Sequence, residues 1–569
     1  MIEPAASRPR KVRLGDLLLE HKVISQGQLE AALADQRKSG RRLGRVLIEN
    51  GFLSEDQLLD FLSRQLNIPY VDLRQYTFRP EVVRLIPEAH ARRFRVIALA
   101  VEDHAVLVGF ADPIDIFAYD EISRLVQKPL KPAVVKEADL LKAIDIVYRR
   151  TDEISGLAAE LEQELAAYDI DLGLAAAEAT TDAPVVKLLQ TLFEDAVQVN
   201  ASDIHIEPDE KALRIRFRID GELRVQTVAD RRIAQALVSR LKLMAGLDIS
   251  EKRLPQDGRC QVRVRDARID VRLSTLPVQH GESVAMRLLN QSTGILALDG
   301  LGMPEGLLKR LHAMIRQPHG MVLVTGPTGS GKTTTLYAML EALNGPSVKL
   351  LTVEDPVEYR LEGVNQVQVN PKIDLTFARV LRAFLRQDPD IILVGEMRDA
   401  ETVEIGLRAA MTGHLVLSTL HTHDAVSSTL RLMDMGAEPY LVAASLRGVM
   451  AQRLVRRICD SCAEEVAATP AETAALRSCL GDEVPIALRR GRGCAFCHHT
   501  GFRGRIGVYE LLEIDEPLAH ALQSGKPELF VKEAAAQAAY RRLQVEALAQ
   551  VARGSTTLDE AMRAVYGTG

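Results

Sequence analysis

The chain has 569 residues, of which 47% are hydrophobic and 26% charged, with a formal net charge of -6. That length exceeds the ~250 residues at which single cores stop growing, so three or four units are expected. The acidic balance and the 4% of aromatic residues argue against a basic groove or a base-stacking platform, and no nucleic-acid partner is expected. No apolar run approaches the ~18 residues that span a bilayer. The N-terminus, Met1 to Arg13, is basic but lacks the apolar stretch of a signal peptide, which points to the cytoplasm.

The first predicted element is a repeat. Shifted by 29 residues, Arg13 to Gln36 lies over Arg42 to Gln65 with 10 of 24 positions identical, where ordinary composition gives roughly one or two. Each copy opens Arg-Leu-Gly and runs through a short apolar helix. It then restarts at Ser25 or Ser54, where S-x-x-Q predicts a capping box for a second helix. Leu29 with Leu33, and Leu58 with Leu62, have the spacing of a core stripe, which suits two packed helix pairs serving as a docking module. The Arg-Leu-Gly openings suggest a ligand instead. A guanidinium pairs with phosphate or with the O6/N7 edge of guanine, and a glycine lets the backbone approach a flat molecule. The motif resembles the cyclic di-GMP-binding N-terminal domain of MSHA pilus extension ATPases. That resemblance implies one half-site from Arg13, Leu14, Gly15, Leu18, Leu29, Leu33 and Gln36. It implies a second from Arg42, Leu43, Gly44, Leu47, Leu58, Leu62 and Gln65, with Asp112 accepting a guanine N–H.

Residues 71–150 mix alternating apolar segments, Arg95 to Val101 and Ala105 to Phe110, with helical ones, and read as a small α/β unit attached to the repeat. Residues 151–182 are acidic and Ala-rich and read as a linker, partly helical. A helix around Ala183 to Gln198 and alternating strands such as Ala212 to Ile219, which ends in the hairpin signal Asp220-Gly221, open a second α/β domain over 183–295.

Residues 296–569 carry the chemistry. The apolar strand Met321 to Thr325 leads into Gly326-Pro327-Thr328-Gly329-Ser330-Gly331-Lys332-Thr333, with Thr334 following at the start of a helix. This is G-x-x-x-x-G-K-[ST] in its strand–loop–helix setting. Its glycines let backbone N–H groups converge on phosphates, Lys332 reaches the β/γ oxygens of ATP, and Thr333 offers its hydroxyl to Mg²⁺. Three more strand-like runs end in polar residues: Lys349 to Val353 before Glu354-Asp355, Ile391 to Val394 before Gly395-Glu396, and Leu415 to Thr419 before Leu420-His421. In a parallel sheet such ends meet the ligand.

This order, with EKRLPQDGR at Glu251 to Arg259 and LRQDPDIILVGE at Leu385 to Glu396, resembles the secretion and type IV pilus ATPase family. The resemblance implies a RecA-like P-loop core behind a PAS-like domain. It also implies Glu396 holding Mg²⁺ through water, Glu354 or Glu396 orienting the attacking water, and His421 at the site. Arg216, Arg231, Arg382 and Arg386 match the arginines that complete such sites, some across a subunit boundary, which implies a homohexamer working on an inner-membrane platform protein and pilus assembly components. Taken alone, Arg382 and Arg386 also fit a solvated helix face. The wider α/β multidomain reading is thus a helical tandem repeat, a small α/β unit, a PAS-like domain and the ATPase core. The function it implies is extension of an MSHA-like pilus under cyclic di-GMP control, with a type II secretion ATPase as the alternative. Cys459-x-x-Cys462 and Cys494-x-x-Cys497, 31 residues apart, offer four thiolates for one structural Zn²⁺, the alternative being two redox pairs.

Overall fold

The computed structural model describes residues 14–39, 43–74, 76, 78–102, 105–148, 151–167, 184–264, 267–290, 296–482 and 484–566. Two compact units result, one reaching to Gly156 and including Arg492–Gly501, the other made of Leu157–Gly491 and the chain from Phe502 onward.

In the first unit the repeat forms four helices, α1 (Leu14–Glu20), α2 (Gln26–Ser39), α3 (Leu43–Glu49) and α4 (Glu55–Leu66). Both expected caps are present. The Gln57 N–H reaches Ser54 Oγ at 3.2 Å while Gln57 Oε1 accepts the Ser54 N–H at 2.9 Å, and Ser25 with Gln28 does the same at 3.4 and 2.8 Å. Such a cap contributes about 1 kcal/mol. Leu18, Leu29, Leu47, Leu58 and Leu62 are buried together, so the apolar residues of the repeat build its core. A methyl on Gly15 would lie 2.8 Å from Leu29 Cδ1 and 3.3 Å from Leu43 Cδ2. That glycine is required by helix packing. Behind the helices, β1 (Val96–Glu102) pairs antiparallel with β2 (Ala105–Phe110), and β2 pairs parallel with β3 (Leu130–Val134).

The acidic stretch opens as a helix, Thr151–Ala167. Its Ala158 and Leu161 are buried, and Glu162 pairs with Arg232 at 2.7 Å, so this part of the expected linker is anchored helix. The helix Pro184–Gln198 then precedes a six-stranded antiparallel sheet of β4 (Asp203–Pro208), β5 (Ala212–Ile219), β6 (Glu222–Asp230), β7 (Gln256–Val264), β8 (Ala267–Val278) and β9 (Gly281–Asn290), in the order β6-β5-β4-β9-β8-β7. Asp220 and Gly221 have φ of 50° and 89°, as a tight hairpin with a primed turn requires. Within EKRLPQDGR, the Lys242 ammonium donates to the Glu251 carbonyl at 2.6 Å and the Gln256 side chain bonds the Asp248 N–H and carbonyl at 2.8 and 2.9 Å. The motif's Gln256 fixes a loop.

The core sheet holds β10 (Gly320–Thr325), β11 (Leu350–Glu354), β12 (Val364–Gln368), β13 (Ile391–Val394), β14 (Leu415–Leu420), β15 (Leu446–Ile458) and, beyond a two-stranded ribbon of β16 (Ala463–Glu465) and β17 (Arg489–Gly491), β18 (Phe502–Glu513). Its order is β12-β11-β13-β14-β10-β15-β18, parallel throughout except for the antiparallel pair β15–β18. Strands β10, β11, β13 and β14 are buried at every position, which is why each reads as a continuous apolar run. Their carboxyl ends share one edge. None of the described helices is long and apolar enough to cross a membrane.

Candidate nucleotide site

The phosphate loop lies between β10 and the helix Lys332–Leu343. Gly326, Gly329 and Gly331 have φ of 148°, 81° and 88°, values that side chains with a Cβ disfavour. A methyl on Gly326 would also lie 2.6 Å from the Gln452 carbonyl. Thr333 and Thr334 are exposed at the start of the helix, where a magnesium–phosphate complex would approach. Lys332 donates to the carbonyls of Gly326 at 2.7 Å and Pro327 at 3.0 Å. Burial, against the opposing pull of Glu396, lowers its pKa to about 8. The Ser330 hydroxyl is buried with no hydrogen-bond partner among the described residues, a donor left for a ligand atom.

Glu396 follows β13. One of its oxygens meets Arg398 at 2.6 Å and the other lies 3.6 Å from His421 Nε2. The loop is tied to β14 by the Thr419 hydroxyl, which donates to the Gly395 carbonyl at 2.7 Å, and by the Met397 N–H on the Thr419 carbonyl at 3.2 Å. Burial, with the charge of Lys332 nearby, pulls the His421 pKa below its ordinary value, so the ring is neutral at pH 7 and can accept as well as donate. Lys332, Glu396 and His421 therefore converge. Glu354 ends β11, one strand farther from the loop, and is buried.

The four arginines expected to complete the site are engaged elsewhere within the chain. Arg216 makes a two-pronged pair with Glu207, both contacts at 2.6 Å. Arg231 donates to the Glu210 carbonyl at 3.2 Å. Arg382 pairs with Glu401, and Arg386 donates to the Arg382 carbonyl at 3.0 Å. Sequence reading did not find Gln452, which is 1% exposed on β15. Its amide donates to the Ser330 carbonyl at 2.6 Å and its carbonyl accepts from Thr335 at 2.9 Å, tying the loop to the helix that follows it. It also missed Arg453, which is buried beside the loop and donates to the carbonyls of Gln452 and His423 at 3.0 and 2.9 Å. No local pattern marks either residue.

Cys459, Cys462, Cys494 and Cys497 are buried, and their sulfurs lie within 4.8 Å of one another. Cys494 and Cys497 Sγ are 3.8 Å apart, close to the edge of a tetrahedron with metal–sulfur bonds of ~2.3 Å. The donor set fits zinc. In the repeat, Arg13 and Arg42 lie outside the described residues. Leu14 and Leu43 begin helices, Gly44 is half-buried, Leu33 and Gln36 are half-buried, Gln65 is exposed, and Asp112 is half-buried with an oxygen accepting the Ile114 N–H at 3.3 Å.

Residues 178–563 match the family described as type II/IV secretion system protein, and residues 66–154 match the MshEN domain. The type IV pilus assembly ATPase PilB of Myxococcus xanthus is 41% identical over 559 residues, covering 96% of this chain and 98% of that protein. The type II secretion system ATPase E of Vibrio cholerae serotype O1 is 42% identical over 497 residues, covering 84% and 96%. Among solved structures, the Legionella pneumophila ATPase DotB matches with a TM-score of 0.51 at 23% identity, over 66% of this chain and 94% of that one, a likeness of fold. With a complete phosphate loop facing the acidic ends of β11 and β13, the chain belongs to the type II/IV secretion system protein family and is an ATPase.

Proposed function

We propose that this ATPase drives extension of an MSHA-like type IV pilus as a homohexamer, under control of cyclic di-GMP. The observation that carries the reading is the tandem Arg-Leu-Gly repeat lying directly ahead of the MshEN match at 66–154. Arg13, Gly15 and Gln36, with Arg42, Gly44 and Gln65, supply the polar and backbone contacts of the two half-sites, while the leucines hold the helices together. ATP binds on the phosphate loop, with Mg²⁺ held by Thr333 and, through water, by Glu396. Glu354, one strand farther out along the ligand edge, orients the attacking water, with His421 beside Glu396. Arg216, Arg231, Arg382 and Arg386 complete the site when neighbouring subunits close, exchanging their present partners for phosphate oxygens. The cysteines hold a structural zinc. The hexamer works in the cytoplasm at the inner membrane, against a platform protein of the assembly machinery.

Type II secretion is a second reading, favoured by the near-equal identity to the two relatives. Cyclic di-GMP binding by the repeat would distinguish them. Calorimetry on the full chain should show tight cyclic di-GMP binding that is lost in Arg13→Ala and in Arg42→Ala. Absence of binding by the unaltered chain would reduce the repeat to a docking module and leave the secretion reading equally strong.

A further inference from the structure

Glu354 is 4% exposed, and its charge is met by neutral donors. The Tyr337 hydroxyl donates to one oxygen at 2.5 Å, and the Thr352 hydroxyl and the Gln366 amide donate to the other at 2.5 and 3.2 Å. Donors on both oxygens fix the carboxylate in rotation as well as position, leaving its free lone pairs one direction in which to accept.

Tyr337 is the member of this set that links other parts. It stands on the nucleotide helix, five residues after Lys332. It is 2% exposed in an apolar cluster with Leu336 and Leu340. Burial and the neighbouring Glu354 push its phenol pKa upward, so it stays protonated and remains a donor. The same oxygen accepts the Glu358 N–H at 3.4 Å. Glu358 in turn pairs with Arg272 of β8 at 2.8 Å, and Arg272 also donates to the Val357 carbonyl at 2.9 Å. One hydroxyl therefore joins the nucleotide helix, the acidic end of β11 and the loop gripped by the second domain.

We propose that Tyr337 is a positioning residue whose hydroxyl sets the orientation of Glu354 and ties it to the phosphate-loop helix. The proposal rests on Glu354 being the carboxylate that aligns the attacking water. It does not require Tyr337 to touch the nucleotide.

The test uses the full chain and the variants Tyr337→Phe, Glu354→Gln and the two combined, with steady-state hydrolysis and direct ATP binding as readouts. Tyr337→Phe keeps the buried ring, so kcat should fall ~10- to 100-fold while ATP affinity stays within about twofold. In the Glu354→Gln background the same change should cost nothing further, because the group it positions is already gone. A structural role alone predicts equal losses in both backgrounds, or loss of ATP binding along with turnover, and either would overturn the proposal. A kcat within twofold of the unaltered enzyme would do so as well. Full turnover by Glu354→Gln would instead overturn the underlying assignment of the water-aligning carboxylate. If Tyr337→Phe does not fold, Thr352→Val removes a donor from the other oxygen and must show the same background-dependent loss.

Discussion

At the scale of single residues, the site is governed by how burial and charge compete at Lys332. Its pKa of about 8 means that the free enzyme loses this proton within an accessible range. Between about 8 and the ordinary lysine value the unfolded chain binds more protons than the folded one, so without ligand stability rises with pH there. ATP binding requires the charged form and therefore has the opposite dependence. Affinity for ATP at saturating magnesium should fall as pH rises through about 8, by up to tenfold per unit, with proton uptake on binding. Titration calorimetry in buffers of different ionisation enthalpy measures both. An affinity that is flat from ~7.5 to ~9.5 would remove Lys332 from the role.

At the scale of elements, legibility followed locality. The phosphate loop, β13 and the hairpin at Asp220-Gly221 could be read because their signals lie within a few consecutive residues: glycines where φ must be positive, apolar runs where both sheet faces are covered. The caps at Ser25 and Ser54 belong to the same class. The leucines of the repeat carried two readings, ligand contact and core stripe, and the structure places Leu18, Leu29, Leu47, Leu58 and Leu62 in the core. Periodicity cannot separate these uses, since both demand one apolar helix face. Gln452 and Tyr337 were illegible for another reason. The partner of Gln452, Ser330, is 122 residues away, and a buried tyrosine looks like core until its acceptor is known. The cysteine pairs lie between these extremes, because C-x-x-C spacing is local even though its closure is not. Elemental analysis should give one zinc per chain. Stripping it with a chelator, or changing Cys459 to Ser, should lower the melting temperature, since closed four-thiolate sites contribute folding energy directly.

At the scale of the second unit, the sheet of β4–β9 is held to the ATPase core by a few charged contacts. Arg456 of β15 meets Glu222 at 2.5 Å and Glu560 at 2.7 Å, and Arg563 joins both acids at 3.4 and 2.8 Å. Arg456 and Glu560 have side chains about 10% exposed, so removing the cation leaves this buried carboxylate with Arg563 as its one remaining cation of the cluster. Arg456→Met should destabilise the folded chain by about 1.5–3 kcal/mol, the loss of its hydrogen bonds to charged groups, read from urea unfolding. A change below ~1 kcal/mol would mean that the pair behaves as an exposed one.

Strand β15 leaves a different mark. Within 13 residues it locks the phosphate loop through Gln452, anchors the second domain and the C-terminal helix through Arg456, and hands the chain to Cys459. Because side chains alternate along a strand, one inserted or deleted residue between Gly448 and Ile458 would turn all of these away together. The connection from Val466 to Leu488 is no free linker either, since its helix Pro470–Leu480 buries Leu476 in the core. Descendants of this sequence must therefore inherit the span through β15 with its residue count intact.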